Sequence, residues 1–171
     1  SVLAGMRAQL PGTVVFIFQP AEEGAPPGER GGAQLMLEEG AFANPRPAAI
    51  FGLHARANLD VGRMGFTTGP ALAASNGWRA VVHGRPSHGA VPQLAIDPIV
   101  MASEIVMALQ TIRSRNLSPL APSVVTVGII RGGERLNIIP ADVEMQGTIR
   151  SFDTAVQDTI KRRMREIFDG I

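Results

Sequence analysis

Residues 13–18, TVVFIF, are apolar without any polar alternation, and the run halts at Gln19-Pro20. A strand with one face in water alternates between apolar and polar residues. An unbroken β-branched and aromatic run suits a strand covered on both faces, as in parallel sheets flanked by helices. Residues 48–53, AAIFGL, are a second such run, followed at once by His54. Between the two lie a Gly/Pro/charge loop over 24–31 and a segment, 32–39, suited to a short helix with Gly40 as its left-handed stop. Strand, helix, strand is a βαβ unit with a right-handed crossover and parallel strands. Both strands then end on one edge of the sheet, where open α/β sheets carry their ligand sites. Glu22, Glu23 and His54 are expected to converge there.

Two adjacent carboxylates repel. A divalent cation reverses that preference, because one carboxylate can bind it while its neighbour faces a water that the ion acidifies toward a pKa of about 7. The free carboxylate can then take the proton, and His54 offers a nitrogen ligand. The same spacing also suits a solvated glutamate pair on a loop and a structural histidine after a strand. The chain has no cysteine, so a metal would have to be held by His, Asp or Glu.

The remaining elements have a different character. Val2, Leu3, Met6 and Leu10 fall at helical spacing before Pro11-Gly12, and 61–67 reads as a further strand. From residue 75 the pattern is α+β. Residues 77–84, GWRAVVHG, alternate like a half-exposed antiparallel strand. Asp97-Pro98 pairs an N-cap with proline at the first helical position, opening an amphipathic helix to about Arg115. Residues 123–130 form a strand, Arg131-Gly132-Gly133 a turn, and 138–150 a strand or bent pair. Thr154-x-x-Gln157 resembles a capping box for a last helix to about Asp169. The order β-α-β-β-α predicts a ferredoxin-like module lacking its last strand. The expected domains are therefore 1–74, part of an α/β domain, and 75–171.

A net charge of +1 at 171 residues, with all basic residues but Lys161 being arginine, gives no global field for nucleic acid. A βαββα module could bind nucleic acid, but a basic stripe and exposed sheet aromatics are missing. No apolar run approaches the ~20 residues that span a membrane. No signal-peptide pattern opens the sequence, and the expected compartment is the cytoplasm, with a periplasmic or secreted, already cleaved protein as the alternative.

FQPAEEG (18–24), IFGLHA (50–55), GWRAVVHGRPSHGAVPQLAIDPI (77–99), NIIP (137–140) and GTIRSFD (147–153) together resemble the metal-dependent amidohydrolases and peptidases that include aminoacylase, hippurate hydrolase and the auxin-conjugate hydrolases. The resemblance implies a zinc-peptidase-like catalytic domain, here partial, with an inserted lid or dimerisation domain. It implies Glu22 as general base, and Glu23 and His54 as ligands to divalent metal ions, two per site (zinc, or manganese, cobalt or nickel). It further implies His88 as an oxyanion donor delivered across a homodimer interface made by the lid, and Asn137 and Arg150 as the pair that binds the substrate's carboxylate and backbone. An arginine fork suits a carboxylate. Without the resemblance, His88 reads as a turn residue, Asn137 as a turn former and Arg150 as a solvated strand residue. The implied reaction is hydrolysis of an N-acyl amino acid or dipeptide-like amide.

Other metal ligands of that family come from elements upstream and downstream of these motifs. The chain therefore reads as an internal fragment, expected to be inactive alone. Pro92 is followed by Gln93, where the auxin-conjugate and hippurate branch often has histidine, so the substrate subtype stays open. The alternative is a dimerisation or binding module without chemistry.

Overall fold

The computed structural model describes residues 2–26 and 28–171. Pro27, in the loop expected over 24–31, lies outside them. The chain divides into two compact units, residues up to Asp60 and residues from Val61.

The first unit holds α1 (Val2–Gly5), a 3-10 turn (Arg7–Gln9) and α2 (Gly32–Glu38). Helix α2 stops as expected: Gly40 has φ +83°, and Gly40 and Ala41 donate back to Leu37 and Met36. The two expected parallel strands are not formed. Residues 13–18 and 48–53 belong to no β-ladder, and Phe18 and Phe51 are 87% and 92% exposed. Residues 61–67, in the second unit, likewise form no strand. A parallel strand needs a neighbouring backbone and cover on both faces. Among the described residues of the first unit the longest helix is α2, whose seven residues are none of them buried. The apolar runs therefore have nothing to pair with or to pack beneath.

The second unit is α+β. Strand β1 (Ala74–His83) is followed by β2 (Ser87–His88), α3 (Pro98–Thr111), β3 (Ser123–Gly132), β4 (Ile138–Ile139), β5 (Asp142–Ser151) and α4 (Thr154–Gly170). The main sheet has the order β1-β5-β3 with both pairings antiparallel. That is the split βαβ arrangement in which the first and second long strands flank the third. A bulge between Val127 and Ile129 shifts the register of β3.

Alternation along β5 separates two faces. Val143, Met145 and Ile149 are buried under α3 and α4, which supply Ile105, Leu109, Ile160 and Met164 to one core. Gly147 interrupts this row because Trp78 lies across it: a Cβ there would come within 2.7 Å of the indole and 1.8 Å of the Thr126 carbonyl oxygen. Trp78 in turn packs near Phe168, with ring centroids 5.9 Å apart. The even positions of β5, Glu144 to Arg150, line the face without helices.

Helix starts follow local chemistry. The Asp97 carboxylate accepts from the Ile99 amide at 2.9 Å and the Val100 amide at 3.4 Å, with Pro98 as the first helical residue. At its far end α3 widens into a π-type turn, Ile112–Asn116. The cap of α4 is displaced by one residue from the expected box. Asp153, not Thr154, accepts from the Val156 amide at 2.9 Å. Gln157 instead donates to Asn76 and accepts from Lys161. No helix of the described residues is long and apolar enough to cross a membrane.

Candidate functional site

The acid pair sits in a tight turn. Ala21 has φ +51°, and the Gly24 amide closes the turn onto the Ala21 carbonyl at 3.2 Å. The start of α2 crosses this turn, with the Gly32 amide donating to the Pro20 carbonyl at 3.0 Å. Glycine is required at the crossing, because a Cβ on Gly31 would stand 2.7 Å from that of Ala21 and Gly32 has φ +77°. The Glu22 and Glu23 side chains are exposed. His54, also exposed, places Nδ1 2.7 Å from the Ala55 carbonyl oxygen. A carbonyl can only accept, so Nδ1 donates, and in the neutral ring Nε2 is then the lone pair, the form that ligates metals.

The donor chemistry of Glu23 and His54 thus suits a divalent cation, but the number of donors does not. Among the described residues no group of three or more His, Asp or Glu is placed to hold a metal ion. A catalytic zinc takes three protein ligands. These residues do not by themselves make a closed metal site.

In the second unit, two residues far apart in sequence are brought together. Strand β2 pairs with β4, with His88 opposite Ile138. The Gly89 amide donates to the Asn137 carbonyl at 2.8 Å. A Cβ on Gly89 would be 3.3 Å from that oxygen, so glycine lets the His88 loop lie against Asn137. The imidazole is oriented by its own loop: the Ala90 amide donates to Nδ1 of His88 at 3.1 Å. Nδ1 is therefore the acceptor, and in the neutral ring Nε2 carries the proton as a donor. His88, Asn137 and Arg150 are all exposed.

Arg150 is not with them. It lies next to the last residue of β5, opposite Ser75 and Val124. His88 and Asn137 lie at the other end, where the Gly84 amide meets the Ala141 carbonyl just before β5 begins. From Asp142 to Arg150 the strand covers about 27 Å at the ~3.4 Å rise of an antiparallel strand. Asn137 and Arg150, thirteen apart in sequence, do not form one local grip within a single chain.

Sequence reasoning missed a charged group on the bare face of the sheet. Arg79 holds Glu144 through Nε and Nη2 at 3.1 and 3.3 Å. That fork, then a hydrogen bond from Gln146, lowers the Glu144 carboxyl below its ordinary value. His83 Nδ1 lies 2.6 Å from Asp142. Alternation over 77–84 signalled a strand with one exposed face, but the partner of Arg79 is 65 residues away and depends on register.

Residues 71–170 match the family model described as the M20 peptidase dimerisation domain. The N-acetylcysteine deacetylase of Bacillus subtilis is 39% identical over 165 residues, which is 96% of this chain and 42% of that protein. The Arabidopsis thaliana IAA-amino acid hydrolase ILR1-like 2 is 42% identical over 97% of this chain and 36% of its own length. Among solved structures, a putative aminohydrolase from methicillin-resistant Staphylococcus aureus superposes with a TM-score of 0.85 at 35% identity, over 99% of this chain and 44% of that one. A dinuclear metal binding peptidase of the M20 family from Bacillus subtilis gives 0.71 at 34% identity, over 99% and 40%. The chain spans about two fifths of the length of these relatives. With the dimerisation-domain match running through β1 to α4 and two relatives aligning along nearly the whole chain, the chain belongs to the M20 peptidase family.

Proposed function

We propose that the protein carrying this chain is a homodimeric, metal-dependent hydrolase of the amide bond in N-acyl amino acids. The single observation that carries this reading is the hydrogen bond from the Ala90 amide to His88 Nδ1. It fixes an Nε2–H donor beside Asn137, which is what an oxygen gaining negative charge during amide hydrolysis needs. The relatives' names, a deacetylase of N-acetylcysteine and a hydrolase of IAA–amino acid conjugates, supply the substrate class. Divalent ions (zinc, or manganese, cobalt or nickel) would supply Lewis acidity, with Glu23 and His54 as part of their donor set.

In this reading Glu22 takes the proton from the attacking water and returns it to the leaving nitrogen. Arg150 pairs with the substrate's carboxylate. His88 and Asn137 steady the carbonyl oxygen. Because they and Arg150 occupy opposite ends of one sheet, each catalytic centre of the dimer draws His88 and Asn137 from one lid and Arg150 from the other. The chain by itself, short of metal donors, is inactive.

Subunit mixing tests this in the full-length protein. His88→Ala and Arg150→Ala homodimers should each lose about 10²–10³ in turnover of N-acetyl amino acids. Mixed and re-equilibrated, they should recover about a quarter of wild-type activity, since half the dimers are mixed and one of their two sites is intact. No recovery would mean that each site takes His88 and Arg150 from the same lid. Glu22→Gln should cost about 10²–10⁴, and full activity in that variant would remove Glu22 from the base role.

A further inference from the structure

The acid pair hangs from a support that is itself half-buried. Ala21, Gly31 and Gly32 are partly covered, while Glu22 and Glu23 stand exposed. Among the described residues, Ala21 is the one non-glycine with a left-handed backbone, at φ +51°. A Cβ makes that conformation costly, and a chain keeps it only where its surroundings over-determine it. Two hydrogen bonds do so here. The Gly24 amide closes on the Ala21 carbonyl at 3.2 Å, and the Gly32 amide holds the Pro20 carbonyl at 3.0 Å. The second bond ties the residue before Ala21 to the chain that opens α2.

That tie requires Gly31 to pass Ala21 without a side chain. The backbone of Gly31 is extended, with φ −167°, which any residue could adopt. Distance is what demands glycine. A methyl on Gly31 would stand 2.7 Å from the Ala21 methyl. Its next neighbours would be ordinary contacts, the Ala25 methyl at 3.4 Å and the Pro20 carbonyl oxygen at 3.8 Å. Carbon atoms rest about 3.5–4.0 Å apart, so the Ala21 methyl would have to yield by roughly 1 Å. Glu22 follows directly in the chain, so a displaced Ala21 carries the Glu22 carboxyl with it.

We propose that Gly31 is a positioning residue: its bare Cα sets where the Ala21 turn lies and so aims the Glu22 carboxylate. This rests on the reading of Glu22 as the base that moves the proton. A displacement of about 1 Å at a reacting group can cost about 10²-fold in rate. Arg150, assigned to the substrate's carboxylate, lies in the second unit, away from this turn.

Turnover and melting of the full-length protein test the proposal. Gly31→Ala should lower kcat on an N-acetyl amino acid by about 10–10²-fold, with KM within about threefold of wild type. Ala21→Gly removes the methyl that Gly31→Ala would strike. The double variant should therefore regain the kcat of Ala21→Gly alone. A purely structural role predicts a lower melting temperature with wild-type kcat per folded molecule. That result, or a double variant still about tenfold below Ala21→Gly, would overturn the proposal. If Gly31→Ala folds too poorly to assay, the double variant decides alone. Glu22→Gln separates this inference from the base assignment beneath it. Full turnover in Glu22→Gln would remove both, whereas an inactive Glu22→Gln beside a fully active Gly31→Ala would remove only the role of Gly31.

Discussion

Two regions of this chain carry similar apolar runs and meet different fates. In the second unit, β-branched residues of β1, β3 and β5 pair in a sheet and bury one face under α3 and α4. In the first unit, TVVFIF and AAIFGL are just as strand-like in composition, yet they pair with nothing among the described residues. Intrinsic preference is the same in both; what differs is the supply of partners. A strand is a statement about its neighbours, and about 0.8 kcal/mol per buried methylene is realised only where a second surface exists.

The comparison can be broken most readily in the core. Leu109 is wholly buried, so Leu109→Ala should cost about 2–5 kcal/mol in the denaturation of the second unit. Phe16→Ala, at a position 65% exposed, should change that transition by less than about 0.5 kcal/mol. Similar losses for the two would erase the distinction. Next in size is association. The bare faces of 13–18 and 48–53 should make the chain self-associate, as measured by light scattering after gel filtration. Phe51→Ser should weaken that by up to about 1.5–3 kcal/mol, the worth of burying one such side chain. A dilute, well-behaved monomer would contradict it.

Smaller still is the cap. Asp97→Ala removes the acceptor for two amides of α3 and should lower stability by about 1 kcal/mol, with Asp97→Asn retaining most of it. The smallest effect is acid-dependent. Glu144 is held below its ordinary value of 4.5, first by the Arg79 hydrogen bond and then by Gln146. A carboxylate with a depressed folded pKa adds stability above its unfolded value and loses it as pH falls through the folded one. Glu144→Gln should therefore flatten the decline in melting temperature below about pH 4.5 while leaving the neutral-pH slope alone. An unchanged acid slope would mean that the Arg79 fork contributes nothing in solution.

What was legible followed from short-range chemistry. Asp97-Pro98 announced α3, alternation announced β1, and Gly40 announced the end of α2. The frame of the last cap was missed because Asp153 and Thr154 are both good caps and only geometry chooses between them. The strands of the first unit were over-read, since a two-sided apolar run specifies a need for cover and not its presence. At the candidate site, residue types pointed to Glu22, Glu23 and His54, and only the family resemblance pointed to His88. The tautomers of both histidines depend on backbone groups one and two residues away, which only coordinates reveal. The separation of Arg150 from Asn137 follows from the course of β5, and a spacing of thirteen residues carries no direction.

Amide hydrogen exchange on the 171-residue chain tests the contrast between the two units most directly. Amides of 13–18 and 48–53 donate no backbone hydrogen bond among the described residues, whereas β5 is bonded on both sides. The slowest exchange should fall in β5 and in the buried turns of α3 and α4, at rates set by global unfolding of the second unit, with residues 13–18 and 48–53 exchanging near the rate of free peptide. Protection at Val14–Phe18 equal to that of Val143–Ile149 would show those runs paired and covered, contradicting the account.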